Sequence, residues 1–212
     1  MTTRTKALAL FPIKKLHYFS GITLAVFITF HLINHLASLM GSATHIEWME
    51  LFRKVYRHPI IETLLTAAVV FQIATGVKLL SKKKERIKAE KIQIYSGLYL
   101  SFFLLAHVSA VFAGRYLEHL DTNFYFAGVG LNYYPSVFFF IPYYFLAVSA
   151  IFLHIASLHY LKTKSVWTSY VIATIGIITS VLIIIGFTNE FQWLEVPVEY
   201  QHFIEKYFGK GH

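Results

Sequence analysis

The sequence contains no cysteine and few charged residues. Disulfides, thiolate metal sites, iron–sulfur clusters and covalent haem attachment through Cys are therefore excluded. Charged residues make up 14% of the 212 residues, whereas a soluble domain has about 25%. Hydrophobic residues make up 56% and aromatics 17%, which is more than a soluble fold of this size can bury. The composition excludes a soluble enzyme, a disordered chain and a nucleic-acid-binding domain, and it predicts a protein embedded in membrane lipid.

Five apolar stretches are long enough to cross a bilayer as helices. Each exceeds the ~20 helical residues that span the hydrocarbon core. They are numbered here as the first to fifth spans and cover about residues 16–40, 60–80, 92–114, 136–161 and 166–187. We expect an all-α integral membrane bundle of five transmembrane helices, with residues 1–212 forming a single domain.

The basic residues are distributed unevenly between the two ends of the spans. Thirteen of the 19 lie before the first span, from Lys78 at the end of the second span up to the third span, or just after the fourth. The positive-inside rule then places the N-terminus in the cytoplasm and the C-terminus outside, in the cytoplasmic (inner) membrane of the cell. The basic run 81–91 is either a solvated loop that sets this topology or a surface for a partner or anionic lipid.

The first and third spans share an internal repeat. Residues 20–31 and 96–107 both read S-G-x-x-L-x-x-F-x-x-x-H. The repeat ends in His31 and in His107, and both spans run in the same direction. Each glycine is ten residues from its histidine, or ~15 Å of helix rise. We therefore expect the two histidines at nearly the same depth, in the outer half of the membrane.

The second and fourth spans also correspond, in the opposite direction. The second contains Gln72-Ile-Ala-Thr, and the fourth contains His154-Ile-Ala-Ser. This correspondence places Gln72 where the fourth span has His154. The sequence thus predicts an outer layer with two histidines and an inner layer with one histidine and one glutamine.

Ionisable residues inside a membrane are costly and indicate function. Two neutral imidazoles at matched depth suit the axial positions of a haem iron. Arg115, two turns beyond His107, is a candidate partner for the haem propionates, with Arg53, Arg57 and His119 as further candidates. We expect His35 and His159 at an interface or beside a ligand. The remaining histidines are expected in solvated connections or tails, namely His45, His58, His119, His202 and His212.

At these residues the sequence resembles the five-helix cytochrome b membrane subunit of succinate dehydrogenases and fumarate reductases (succinate:quinone oxidoreductases). The resemblance extends over about residues 16–187. It implies that His31, in the stretch Phe-His-Leu-Ile-Asn, and His107 ligate a haem b near the outer face. It implies that His154 belongs to a second haem site nearer the cytoplasm. It also implies a quinone, cytoplasmic flavoprotein and iron–sulfur partner subunits, and no activity towards succinate by this chain alone.

Gln72 departs from the family pattern, which has a ligand histidine at this position of the second span. Glutamine is not an ordinary haem ligand, so we expect one haem rather than two. The relay from an iron–sulfur partner through the inner haem to the outer haem would then be interrupted. Glu62, near the outer end of the second span, is the candidate for proton exchange with a quinone.

Two alternative functions remain open from the sequence. One is a stand-alone membrane cytochrome with a single bis-histidine haem and no dehydrogenase partners, which Gln72 favours. The other is a non-haem metal membrane protein, because His31 and His35 are spaced i, i+4 and can face one direction on a helix.

Overall fold

The computed structural model describes residues 3–80 and 87–209, with side chains from residue 12 onwards. In these residues the regular structure is entirely helical. Residues 81–86 of the basic run and residues 210–212, which include His212, lie outside the described residues. The α-helices are α1 (Thr3–Leu36), α2 (Ser42–Tyr56), α3 (Pro59–Leu80), α4 (Lys88–Phe112), α5 (Phe124–Asn132), α6 (Val137–Thr163), α7 (Val166–Phe187) and α8 (Val198–Phe208).

Five described helical segments are long and apolar enough to cross a membrane. They are Pro12–Met40, Pro59–Leu80, Lys88–Leu117, Val137–Thr163 and Val166–Phe187. The first includes a 3₁₀ turn after α1, and the third includes a π-helical turn, Ala113–Leu117, after α4. These segments confirm the expected all-α architecture with five such helices, which indicates a multi-pass membrane protein. The direction of the termini stays a prediction.

The five long helices pack in sequence order and then close on themselves. α1 packs on α3, α3 on α4, α4 on α6 and α6 on α7, and α7 returns to α1. Small residues permit close approach between α6 and α7, where the hydroxyls of Ser149 and Ser180 lie 3.0 Å apart. The α1, α3, α4 and α6 helices are the ones that carry the candidate site residues.

The segments expected as connections and tail contain three further helices, α2, α5 and α8. All three lie at the same end of the bundle of long helices. We call α2, α5 and α8 together the cap, and this end of the bundle the capped end. α2 buries His45, Met49 and Arg53 on one face, at the spacing of successive helical turns. The cap shares a continuous core with the end of α7, which includes Phe124, Phe187 and Phe203 among others.

Candidate functional site: two histidine layers in a helix bundle

The structure brings His31 of α1 and His107 of α4 together. Their ring centroids are 6.2 Å apart, and the ring planes are inclined by 66°. Each ring stacks on the phenylalanine four residues earlier. Phe27 lies 5.4 Å from His31, and Phe103 lies 5.1 Å from His107. The repeated F-x-x-x-H pattern thus places two equivalent stacked pairs next to each other in the bundle.

The two imidazoles of this outer pair are close enough to bind one metal ion between them. Two imidazoles that bind one ion from opposite sides have ring centroids roughly 6 Å apart, because each metal–nitrogen bond is about 2 Å long. A haem iron takes two protein ligands in this way, and imidazole nitrogen is one of its usual donors. His31 and His107 are therefore the residues that could hold a haem.

His45 is a correction to the sequence-based expectation of a solvated histidine. It lies in α2 and is 2% exposed. The amide of Asn34 donates to Nε2 of His45, with a nitrogen–nitrogen distance of 3.2 Å. Nδ1 of His35 lies 3.2 Å from the same atom. Since Nε2 of His45 accepts from Asn34, His35 is the donor in the second contact. Hydropathy gave no signal for this burial, because α2 is not a membrane span.

The His45 ring extends the outer layer towards the capped end. His35 packs against His31 at a centroid distance of 4.3 Å and against His45 at 5.5 Å. Burial lowers the pKa of His45 to about 4, and the charge of Arg53 contributes to the shift. His45 therefore lies neutral in the cap at neutral pH.

The inner layer shows the same correspondence between the two halves of the bundle. The Ser20 hydroxyl donates to Oε1 of Gln72 at 2.7 Å. Its repeat equivalent, Ser96, lies 3.2 Å from Nδ1 of His154. Gln72 and His154 thus occupy equivalent places against α1 and α4.

The repeat glycines lie beside these two side chains. A Cβ atom on Gly21 would lie 3.4 Å from the amide nitrogen of Gln72, and one on Gly97 would lie 3.2 Å from Cε1 of His154. The Gly97 contact is tighter than most Cβ contacts in proteins. Gly97 therefore permits a close approach of His154, whereas at Gly21 a Cβ atom would make an ordinary contact with Gln72.

Hydrogen bonds identify the tautomer of His154. Nδ1 lies 3.1 Å from the backbone carbonyl oxygen of Gln93, which can only accept. The Ser96 hydroxyl itself donates to the Ile92 carbonyl at 2.6 Å and accepts from Nδ1. Nδ1 therefore carries the proton, and Nε2 carries the lone pair. This is the arrangement that neighbouring groups impose on metal-ligating histidines.

The sequence analysis did not identify His17 as part of the inner layer. Nε2 of His17 lies 3.3 Å from the amide nitrogen of Gln72. Its Nδ1 lies 3.0 Å from the hydroxyl of Thr75, which in turn donates to the Phe71 carbonyl. The available signal was the repeat itself, because His17 precedes Ser20 by the same interval as Gln93 precedes Ser96.

Arg115 and Glu62 form an ion pair with each other. The pair joins α3 to the π-helical turn after α4, and the Arg115 guanidinium also lies over the Tyr116 ring at 5.1 Å. Glu62 lines an open groove of about 690 Å³ at this end of α3. The other residues that line the groove are Pro59, Thr63, Thr66, Ala67, Val70, Phe71, Phe112 and Tyr116.

The other histidines lie apart from the two layers. His58, His119 and His202 are exposed, and His159 contacts the Ser169 hydroxyl through Nδ1 at 3.2 Å. Over the described range, no three or more His, Asp or Glu side chains form a group that could hold a metal ion. The described residues therefore contain no cluster of three or more such ligands for the alternative function, a non-haem metal centre.

Comparisons with known proteins identify no relative. No protein family, curated protein or solved structure matches this chain. The arrangement of its own residues is therefore the basis for assigning a function.

Proposed function

We propose that this chain is a membrane-embedded haem b protein for electron transfer, similar to the quinone-reactive cytochrome b anchor subunit of succinate dehydrogenases and fumarate reductases. The observation that supports this most directly is the His31–His107 pair, whose ring centroids lie 6.2 Å apart on two helices that carry the same repeat. When bound, a haem supplies reversible one-electron reduction and oxidation of its iron.

The chain's own residues would hold and orient this group. His31 and His107 would hold the haem iron, each as a neutral imidazole. Phe27 and Phe103 restrict rotation of the two imidazole rings by stacking on them. His35, held by His45, fills the space beside His31. In this proposal the bundle would present His31 and His107 as a preorganised pair of ligands.

Glu62 is the proposed group for proton exchange with a quinone. It lies at the end of α3, within hydrogen-bond distance of Arg115, and lines a groove with mostly apolar walls. A quinone has an apolar body and polar ring oxygens, so an apolar groove with one carboxylate in its wall suits it. In this proposal the capped end faces outwards and the chain lies in the cytoplasmic (inner) membrane. Flavoprotein and iron–sulfur subunits dock at its cytoplasmic face, and the chain does not itself act on succinate.

A stand-alone cytochrome with a single haem is the second candidate. The specific observation in its favour is the hydrogen bonding of Gln72, whose amide is engaged by Ser20 and His17. Because the oxygen and the nitrogen of the Gln72 amide both contact other side chains, the amide is not oriented to bind a metal. Copurification of a flavin-containing protein and an iron–sulfur protein from the native membrane would separate the anchor subunit from the stand-alone cytochrome.

The decisive experiment is a dithionite-reduced-minus-oxidised visible spectrum of the purified chain, with the ratio of haem to protein. We expect the α-band of a low-spin b-type haem. A folded protein from a haem-replete host that lacks this band would overturn the proposal. A metal determination on the same sample would distinguish haem iron from other metals.

A further inference from the structure

Three guanidinium groups gather at the capped end, beside the outer histidine layer. Arg115 is paired with Glu62. Arg53 donates to Glu50 at 2.6 Å and to Asp121 at 2.7 Å. Arg115 and Arg53 thus each have a carboxylate partner at hydrogen-bond distance.

Arg57 differs from the other two in its partners. Its Nη2 donates to the neutral hydroxyl of Thr122 at 2.9 Å. Its ion pair is with Asp121 at 3.9 Å, and the same carboxylate oxygen already accepts from Arg53. The charge of Arg57 is therefore less well compensated than the charges of its neighbours.

The surroundings of Arg57 disfavour the positive charge of its own guanidinium. Burial lowers the pKa of Arg57 below its ordinary value, and the nearby charges of Arg53 and Arg115 lower it further. A guanidinium remains charged at neutral pH in spite of this shift. An anion at this position would relieve the repulsion and satisfy further N–H groups of Arg57.

The location of Arg57 connects this charge to the candidate haem site. The neighbouring residue, Tyr56, contacts Phe27 at a centroid distance of 5.5 Å. Phe27 in turn stacks on His31 at 5.4 Å. Two ring contacts thus connect Tyr56, the residue before Arg57, to His31.

We propose that Arg57 is an anion-binding residue that holds a propionate carboxylate of the haem whose iron is ligated by His31 and His107. The inference rests on the proposed function and goes beyond it, because it transfers the propionate role from Arg115, which is engaged by Glu62, to Arg57. The planar guanidinium fork matches a carboxylate in a bidentate arrangement. A lipid phosphate offers similar chemistry, so the experiment must distinguish the two sources.

The test compares two porphyrins on the full-length apoprotein in nanodiscs. One is haem b, and the other is its dimethyl ester, in which both propionates are blocked and uncharged. We expect Arg57→Gln to weaken haem b binding roughly ten- to a hundredfold, the usual size of a hydrogen bond to a charged group. The same substitution should leave the affinity for the ester unchanged. Arg57→Lys, which keeps the charge but loses the fork, should be intermediate.

Lys54→Gln is the matched control, since it removes an exposed cation from the last turn of α2, three residues before Arg57. It should alter neither affinity. Equal weakening of both porphyrins by Arg57→Gln would show that Arg57 only supports the fold and would overturn the inference. A loss that appears only with anionic lipid, and for both porphyrins alike, would assign Arg57 to a lipid phosphate instead. Failure of the unmodified chain to bind either porphyrin would contradict the proposed function itself.

Discussion

Nε2 of His17, on α1, lies 3.3 Å from the side-chain nitrogen of Gln72 on α3, the residue at the place equivalent to His154. The Gln72 oxygen is engaged by Ser20 at 2.7 Å, and its nitrogen donates to His17. The amide is thereby fixed by neighbours on α1. Its oxygen and its nitrogen each have a hydrogen-bond partner within the chain, which supports a structural role for Gln72.

This arrangement leads to a prediction about haem count. We expect a haem-to-protein ratio near one, with a low-spin spectrum that survives His154→Ala. Partial occupancy of an inner site through His154 alone would instead produce a five-coordinate haem that binds carbon monoxide when reduced. Two low-spin haems per chain would contradict the prediction and would point to a further ligand, for which His17 is the nearest imidazole to Gln72 in the described contacts.

Restoring an imidazole at position 72 provides the complementary test. We expect Gln72→His to raise the haem-to-protein ratio towards two, because the new ring would occupy the position equivalent to His154. His154→Ala in the same background should remove the added haem and leave the first. Gln72→Asn, which keeps an amide, is the control. An unchanged ratio in Gln72→His would show that the inner layer has no room for a porphyrin.

The ligand pair gives a second prediction. His31→Ala and His107→Ala should each abolish the same low-spin haem, since one iron requires both axial nitrogens. Absorption spectra and haem content of the purified variants provide the measurement. His159→Ala, which removes a half-buried histidine bonded to Ser169, should leave the spectrum intact. If one variant loses the haem and the other keeps an unaltered spectrum, then His31 and His107 do not bind the same iron.

The long helices were predictable because hydrophobic length alone identifies them. The fifth span, Val166–Phe187, has the predicted bounds, and the other four differ by only a few residues. The α2 and α8 helices were not predicted, since neither has an apolar stretch long enough to cross a membrane. The spacing of His45, Met49 and Arg53 was the signal for a buried face on α2.

The proximity of His31 and His107 could be expected from the repeat, because equal spacing from an aligned Ser-Gly pair implies equal depth. Contacts between neighbouring helices could not be read in this way. Whether His17 reaches Gln72, or Arg115 reaches Glu62, depends on helix rotation and tilt. Those angles are set by packing of the whole bundle rather than by the local pattern of one helix.

Helix packing gives a third prediction, at Gly176 in α7. A Cβ atom there would overlap the Cβ of Phe152 and lie 2.5 Å from its Cγ. Since the Phe152 Cβ moves only with its own backbone, α6 and α7 would have to separate. We expect Gly176→Ala to cost about 1–3 kcal/mol, the usual penalty of overpacking, and to lower the apparent melting temperature in detergent.

Gly21→Ala is the matched control for the packing prediction. Its Cβ would lie 3.4 Å from the flexible end of Gln72, which is an ordinary contact distance. We expect a much smaller change in melting temperature. Equal melting temperatures for the two variants would contradict the close approach of α6 and α7 at this position.

The buried imidazole of His45 gives the last prediction, a dependence of stability on pH. Its pKa is about 4 in the folded chain, through burial and the charge of Arg53, whereas an unperturbed histidine has a pKa of about 6.5. Between these values the unfolded chain binds a proton at His45 and the folded chain does not. The contribution of neutral His45 is therefore complete above pH 6.5 and is lost as the pH falls towards 4. At pH 5 we expect a loss of roughly 1–2 kcal/mol.

His35 and Arg53, the titratable and charged groups around it, remain in His45→Gln, so this variant isolates the contribution of His45. Lowering the pH from 7.5 to 5 should lower the apparent melting temperature of the unmodified chain by several degrees more than that of His45→Gln. His58→Gln, at an exposed position, should behave like the unmodified chain. The same acid-induced fall with and without His45 would show that another group is responsible.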